Sequence, residues 1–363
     1  MEKWCFEDRH FEQMSELVHI VSPSMEECKM AAYLRSVWLG KGAEVRSDVM
    51  GNIYATMNAG DSIHIGLVAH MDTTAIQITK ILGNGFLQFR SIGLRPHLLL
   101  GQNMKILTGK GVIQGVIGFD PTSQYGQPKG LVEDDLWLDI GACDYAEASS
   151  KVEIGDLAVL SPHISKMADG IICGTGIDDR VGLFILNECL EKFKETAPAV
   201  CLHLIGTTQE EVGLRGAGVI ASQCKLDACF VIDVDYATDT LAPHENQMGA
   251  LHLGKGVGIH IKSDNNPVLR KIVCDVAEMN NIPYQKSLGR FVYGGTDATA
   301  VQLQCGGVAT VNINIPCRYM HSPIELCHQI DIESAIDVIM YSIQEIANKR
   351  INHFIPYLDC ATR

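Results

Sequence analysis

The pattern of apolar and polar positions predicts alternating helices and strands at both ends of the chain. Amphipathic periodicity indicates helices at about 6–20 and 24–39, and a strand near 51–57 follows them. Residues 63–69 form a short apolar run with polar flanks, which is typical of a strand buried on both faces of a parallel sheet. Alternation resumes after Gly176 with a helix in RVGLFILNECLEKFKE, a strand in AVCLHLIGTT, a helix after Gly213 and a strand in ACFVIDV. A helix at 266–280, a strand at 308–314 and a helix at 330–348 follow. The two ends together predict a layered α/β domain.

The middle of the chain has a different pattern. Between residues 73 and 164, short runs of Val, Ile and Leu alternate with glycines, and helical periodicity is confined to a weak stretch near 144–150. This pattern predicts an all-β insertion, a small barrel. A chain of 363 residues also exceeds the size at which one core keeps growing. We therefore predict a first part of the α/β domain at 1–72, an inserted barrel at 73–164 and a second part at 165–363.

Composition narrows the possible partners and the compartment. The chain has 29 basic and 43 acidic residues, a formal charge of −14, which argues against a nucleic-acid partner. Neither an apolar span long enough to cross a membrane nor a signal peptide is visible, so we predict no membrane partner and expect the cytoplasm. The 13 cysteines include no CxxC pair. We expect them to be small buried hydrophobes in a reducing compartment rather than zinc ligands or disulfides.

Five separated stretches place acids or imidazoles where buried strands should end. They are AHMD with His70, GIDDRVG with Asp178, TTQEEVG with Glu210 and Glu211, VIDVDYATD with Asp233, and YMHSPIE with His321. Taken alone, each has an ordinary explanation, such as a helix N-cap for an Asp or a structural role for a single His. Parallel strands end at one edge of a sheet, so the conjunction is more informative than any member. Two imidazoles and three carboxylates can hold two cations, and one carboxylate remains as a general base.

Local spacing indicates roles for Asp72 and for the two glutamates. Asp72 lies two residues after His70, where its carboxylate could accept a hydrogen bond from the second ring nitrogen of a metal-binding His. Glu210 and Glu211 are adjacent, and adjacent strand residues point in opposite directions, so we predict different roles for them, one ligand and one base. Their adjacency argues against glycoside hydrolysis, in which two carboxyl groups flank the sugar bond about 5–9.5 Å apart.

The combination of motifs resembles one known family over nearly the whole chain. Besides the five stretches, it includes LDIGA at 138–142, LGKG at 253–256, GGTDA at 294–298 and IPCRYMHSPIE at 315–325. These residues resemble the M42 metallo-aminopeptidases, the glutamyl aminopeptidase and TET-like group. The resemblance implies a three-layer α/β/α zinc-peptidase-like domain with an inserted PDZ-like β-barrel used in oligomerisation. It also implies a homo-oligomer, often a tetrahedral dodecamer whose active sites face an internal cavity.

The resemblance also implies roles for individual residues. Two divalent ions, zinc or cobalt, are expected: His70, Asp178 and Asp233 would hold one, and Asp178, Glu211 and His321 the other. Glu210 would be the general base, and the peptide bond between Asp178 and Asp179 would be cis. GGTDA, with Gly295, Thr296 and Asp297, is expected to line the substrate pocket.

The predicted activity is removal of N-terminal residues from peptides by a metal-dependent aminopeptidase. A related dinuclear amidase or deacylase of acylated amino acids would use the same ligand set, and it remains an alternative. Two others are a glycoside hydrolase that uses the paired glutamates and a non-catalytic oligomeric scaffold.

Overall fold

A computed structural model describes residues 1–120, 132–241, 245–290 and 294–356 of the chain. The first part begins with two helices that pack on a sheet. Its elements are α1 (Asp8–His19), α2 (Cys28–Gly40), β1 (Glu44–Ser47), β2 (Ile53–Met57) and β3 (His64–His70). Met14 and Leu17 of α1 and Leu34 of α2 are fully buried, as the helical spacing of apolar residues requires.

A closed six-stranded barrel follows β3 in the chain. It comprises β4 (Ala75–Ile81), β5 (Leu87–Ile92), β6 (Asn103–Thr108), β7 (Gly111–Phe119), β8 (Leu136–Asp139) and β9 (Leu157–Leu160), in the order β4-β5-β8-β7-β6-β9. One short helix, α3 (Tyr145–Lys151), lies at the weak helical stretch noted in the sequence. The barrel has its own apolar core, which includes Ile78, Met104 and Leu138. The predicted small barrel between residues 73 and 164 is therefore confirmed, whereas the domain boundaries remain a prediction.

The second part returns to alternating strands and helices. Its first elements are β10 (Ile164–Lys166), β11 (Ile171–Gly174), α4 (Ile177–Thr196), β12 (Cys201–Thr207), α5 (Ile220–Gln223), β13 (Ala228–Tyr236) and α6 (Glu245–Met248). They are followed by β14 (Val257–His260), α7 (Pro267–Met279), β15 (Tyr284–Ser287), α8 (Ala298–Val301), β16 (Ala309–Cys317), β17 (Glu325–His328) and α9 (Gln329–Lys349). After Gly213, where the sequence predicts a helix, the described chain forms a 3-10 turn and the four-residue α5.

An eight-stranded sheet joins the first and second parts in the order β1-β2-β12-β3-β13-β16-β14-β15. Its centre is parallel: β3 pairs in parallel with both β12 and β13, and β13 pairs in parallel with β16. The register aligns Thr207 with His70, so these two strands end side by side. The carboxyl ends of the central strands therefore form one edge, to which the following loops deliver their side chains.

Apolar cores lie on both faces of this sheet. The larger core packs residues of α1, α2, α4, α7 and α9 against it, and the smaller core packs α5 and α8 against the other face. Phe184 of α4 and Phe230 of β13 are fully buried in the larger core. The chain therefore has the predicted mixed α/β architecture with helices on two faces. Within the described residues, no helix is both long and apolar enough to cross a membrane.

Candidate metal centre

The loops at the carboxyl edge of the sheet bring the five predicted stretches together. His70 is the last residue of β3, Asp178 lies at the start of α4, and Glu211 follows β12. His321 lies four residues beyond β16. Asp233 differs from the prediction, because β13 continues past it to Tyr236 and it therefore lies inside the strand. The five side chains nevertheless converge.

Asp178 lies between the two histidines. Its Oδ1 is 2.9 Å from Nε2 of His70, and its Oδ2 is 3.2 Å from Nε2 of His321. The same His321 nitrogen is 3.4 Å from Oε2 of Glu211. The peptide bond between Asp178 and Asp179 is cis, which confirms the prediction. One carboxylate thus presents an oxygen to each side of the site, as a bridging ligand between two cations must.

The side chains form two groups, each with three possible ligand atoms within 4.8 Å of one another. One group is Asp178, Glu211 and His321, which coincides with a predicted ligand set. The other is His70, Asp179 and Asp233, where the prediction had Asp178 in place of Asp179. Asp179 is a residue to which the sequence reasoning assigned no ligand role. The adjacent acid pair in GIDDRVG was the available indication, but the backbone decides which of the two carboxylates reaches which group.

Asp72 organises the loop that carries the two glutamates. It is fully buried, and its carboxylate accepts hydrogen bonds from the backbone amides of Glu210, at 3.0 Å, and Glu211, at 3.1 Å, and from Oγ of Ser24, at 2.6 Å. Nδ1 of His70 lies 3.0 Å from the backbone carbonyl of Asp72 and 3.4 Å from its carboxylate. The carbonyl is therefore the closer partner of His70, and the carboxylate mainly fixes the glutamate loop.

Burial of so many acids shifts their proton affinities. Burial raises the pKa of Asp179, Glu210 and Asp233 well above the usual carboxyl value, and that of Glu211 to about 7. Although burial also disfavours the charged form of Asp178, hydrogen bonds with His321 and His70 hold its pKa well below the usual value. Protons or bound cations would relieve the negative charge of these carboxylates.

The donor atoms fit divalent cations. Oε1 of Glu211 and Oδ2 of Asp179 are buried and have no hydrogen-bond partner. Such an atom costs about 1–3 kcal/mol if nothing compensates it. Imidazole nitrogens and carboxylate oxygens together are ligands that zinc, cobalt and manganese accept. The residues present therefore fit divalent metal ions, and Asp178 contacts a histidine of each ligand group.

A cavity of about 320 Å³ opens beside the two groups. Its wall includes Glu210, Gly295 and Thr296, together with the cationic side chains of Lys262 and Arg290. Thr296 donates to Oδ1 of Asn312 at 2.6 Å. Asp297 is buried and accepts a hydrogen bond from Thr207 at the end of β12, and burial raises its pKa to about 6. Its predicted contact with substrate stays a prediction.

Comparison with known proteins identifies the family. The model of the family described as M42 glutamyl aminopeptidase matches residues 51–338. The chain belongs to this M42 family. A relative, the lysyl aminopeptidase of Pyrococcus furiosus, is 29% identical over 309 residues, which cover 84% of this chain and 87% of that protein.

Solved structures agree with this membership. The TET aminopeptidase of a marine-sediment thaumarchaeote is similar with a TM-score of 0.89 and 29% identity, covering 96% of this chain and 99% of that one. The TET1 peptidase of Pyrococcus horikoshii, described as assembling into a tetrahedron or a large octahedral shell, is similar with a TM-score of 0.81 and 29% identity, covering 92% and 98%. The predicted class, a metal-dependent aminopeptidase, is confirmed for this M42 chain.

Proposed function

We propose that this M42 peptidase removes N-terminal residues from peptides with a dinuclear centre. His70, Asp179 and Asp233 would surround one cation, Glu211 and His321 the other, and Asp178 would contact both. The contact of one Asp178 oxygen with each histidine is the observation that carries the proposal. Zinc or cobalt suits this mixed nitrogen and oxygen set.

The chain's own residues would divide the catalytic work. When bound, two divalent cations supply Lewis-acid polarisation of a carbonyl and make water more acidic at neutral pH. Glu210 lines the cavity beside both ligand groups, and its carboxylate would accept the proton of the attacking water and return it to the leaving amine. Asp72 would hold Glu210 and Glu211 in register through their amide hydrogens. It would therefore act as a positioning residue.

The cavity wall supports a preference for acidic N-terminal residues. Lys262 lies beside the GGTDA loop, with its Nζ 3.4 Å from the carbonyl oxygen of Gly294. Cζ of Arg290 lies 5.8 Å from the ring centre of Tyr236. Asp235, which also lines the cavity, is held by His260 at 2.6 Å, which reduces its repulsion of an incoming carboxylate. Lys262 and Arg290 would therefore supply the charge complement to a glutamyl or aspartyl side chain.

The barrel would serve assembly. We propose that residues 73–164 form a PDZ-like domain inserted between catalytic parts 1–72 and 165–363, and that copies of the chain associate into a homo-oligomer of the tetrahedral, dodecameric kind. The similarity to the TET1 peptidase supports this proposal. We also propose that the protein resides in the cytoplasm. Sedimentation of the purified chain would test the assembly independently of activity.

Replacement of Glu210 by Gln tests the assigned base. The amide cannot take up a proton, so kcat should fall by about 10²–10⁴ while the bound metal is retained. The matched variant Glu211→Gln removes a ligand, so it should lose metal as well as turnover. Metal analysis and a chromogenic aminoacyl substrate measure both quantities. Unchanged turnover in Glu210→Gln would reject the base assignment.

The same assay separates the alternatives. A dinuclear deacylase would prefer N-acylated substrates to unblocked ones, whereas the proposed aminopeptidase requires a free amine. The activity of a glycoside hydrolase would persist after exhaustive chelation. A non-catalytic scaffold would show no metal-dependent turnover.

A further inference from the structure

A second group of metal-binding side chains lies at the opposite end of the two strands that carry the candidate centre. β3 begins at His64, and β12 begins at Cys201, which is its register partner. Side chains alternate along a strand, so Cys201 and His203 project from the same face of the sheet. His70 lies six positions after His64, which places this group about 20 Å along the strand from the candidate metal centre.

Three donor atoms meet at this end. Nδ1 of His64 lies 3.1 Å from Nε2 of His203, and Sγ of Cys201 lies 3.4 Å from the same Nε2. All three atoms lie within 4.8 Å of one another. Zinc bonds of about 2.0–2.1 Å to nitrogen and 2.3 Å to sulfur, in tetrahedral geometry, separate two nitrogens by about 3.3 Å and nitrogen from sulfur by about 3.6 Å. The two separations that involve His203 therefore match a zinc site to within a few tenths of an ångström.

Nε2 of His203 lies close to two possible partners. Nδ1 of His203 already lies 3.1 Å from Oγ1 of Thr56, while Nε2 faces both His64 and Cys201. Each nitrogen of a neutral imidazole is either one donor or one acceptor, so Nε2 can serve only one of its two neighbours well. A cation would accept a lone pair from all three residues at once. Thr56 would then fix the ring of His203 through its second nitrogen.

The surroundings suit a cation that binds a thiolate. Burial lowers the pKa of His203 to about 4, so at neutral pH its ring is in the uncharged form that coordinates metals. Burial raises the pKa of Cys201 to about 11, so binding must displace the thiol proton and should strengthen as pH rises. The charges that act on the three groups are the carboxylates of Asp61, Glu44 and Asp227 and the cations of Arg46 and Lys225. The carboxylates outnumber the cations.

We propose that His64, Cys201 and His203 form a third metal site, which binds a zinc ion and clamps β3 to β12 at their amino ends. A thiolate ligand selects zinc over magnesium or manganese. His64 is half-buried whereas Cys201 and His203 are buried, so the ion can enter past His64 and keep a water molecule as its fourth ligand. This proposal is independent of the activity, because none of the three residues belongs to the candidate centre.

Cobalt substitution tests the site with a spectroscopic readout. Metal-stripped protein, kept reduced with a phosphine, is titrated with Co²⁺ while near-ultraviolet absorption is recorded. A thiolate bound to cobalt gives a charge-transfer band there, whereas the candidate centre, with only nitrogen and oxygen ligands, gives none. We expect the band to reach the intensity of one thiolate-bound cobalt per chain once the candidate centre has also been filled, and to be removed by added zinc. Failure of the proposed catalytic centre would leave this band unchanged.

Three variants make the result specific. The band should vanish in Cys201→Ser and in His64→Gln, and the second substitution is at a half-buried position that tolerates a polar side chain. Cys173→Ser, a half-buried thiol on β11, is the matched control and should keep the full band. Zinc should raise the melting temperature of the control more than that of Cys201→Ser. Absence of a band in the unmodified chain, or its persistence in Cys201→Ser, would overturn the proposal.

Discussion

Replacement of Asp72 by Asn is the sharpest test of how the glutamate loop is held. The fully buried carboxylate accepts three hydrogen bonds, from Ser24 and from the amides of Glu210 and Glu211. Asn can keep one acceptor oxygen, but its NH₂ group then faces the donors on the other side. The Ser24 hydroxyl can rotate to accept a hydrogen bond, whereas a backbone amide cannot.

The magnitude follows from that geometry. One buried amide hydrogen is left without an acceptor, which costs about 1–3 kcal/mol, and the loss of charge weakens the other bonds, so unfolding should become easier by about 2–4 kcal/mol. A displacement of reacting groups by about 1 Å can cost about 10² in rate. We therefore expect kcat of Asp72→Asn to fall by about two orders of magnitude. Ser24→Ala removes one neutral donor and should cost only about 1 kcal/mol, with turnover close to that of the unmodified chain.

Urea unfolding and steady-state kinetics on metal-loaded protein measure both effects, and metal analysis shows whether the ligands still bind. If Asp72→Asn kept its turnover while Ser24→Ala lost it, the carboxylate would not be what positions Glu210 and Glu211. Equal losses in both variants would assign the effect to the Ser24 segment.

Three other substitutions test separate parts of the structure. Lys262→Gln should shift the preference from acidic towards neutral N-terminal residues by about tenfold, because about 1.4 kcal/mol of charge complementarity is lost. The ratio of kcat/KM on glutamyl and leucyl substrates measures this shift. An unchanged ratio would exclude Lys262 from specificity. Gly256→Ala should destabilise the fold by several kcal/mol, because φ of Gly256 is +96° and a Cβ there would lie 2.1 Å from the carbonyl oxygen of Pro283. Thermal unfolding measures the loss. Gly60→Ala is the control, because there is open space around Gly60. Burial raises the pKa of Asp331 to about 7, so between about pH 4 and pH 7 the folded chain binds a proton that the unfolded chain has lost. The free energy of unfolding therefore falls as pH rises through that window. Asp331→Asn should therefore lose less stability than the unmodified chain between pH 5 and pH 8 in urea unfolding, and equal losses would contradict the assignment.

The apolar patterns predicted the elements well, because a strand that is buried on both faces has a continuous run of apolar residues. The run at 63–69 corresponds to β3 with a shift of one residue, and the Gly-punctuated middle is the barrel. A helix follows Gly213, as predicted, but it is short: a 3-10 turn at Ala217–Val219 leads into an α-helix that covers only Ile220–Gln223. A Cβ on Gly216 would lie 2.3 Å from Oδ1 of Asn52, so close packing requires glycine at this position.

The site could be predicted as a set of residues but not as a set of contacts. His70, Asp178, Glu211, Asp233 and His321 converge because parallel strands share an edge, which is a property of topology. Which of Asp178 and Asp179 completes each group depends on backbone directions that no spacing encodes. The cysteines illustrate the opposite limit. Of the 12 cysteines in the described residues only five are buried, whereas the sequence predicted buried side chains. Cys201 meets His64 only through strand pairing between distant parts of the chain.

The connection between the barrel and the catalytic edge has a mechanical consequence. Only Thr73 and Thr74 separate Asp72 from the first barrel strand, and Thr73 is tied to Ser22 by its amide at 3.1 Å. A linker this short has no slack, so a tilt of the barrel against a neighbouring copy would pull directly on the carboxylate that fixes Glu210 and Glu211. Contacts between barrels of neighbouring copies would therefore change kcat without an effector molecule.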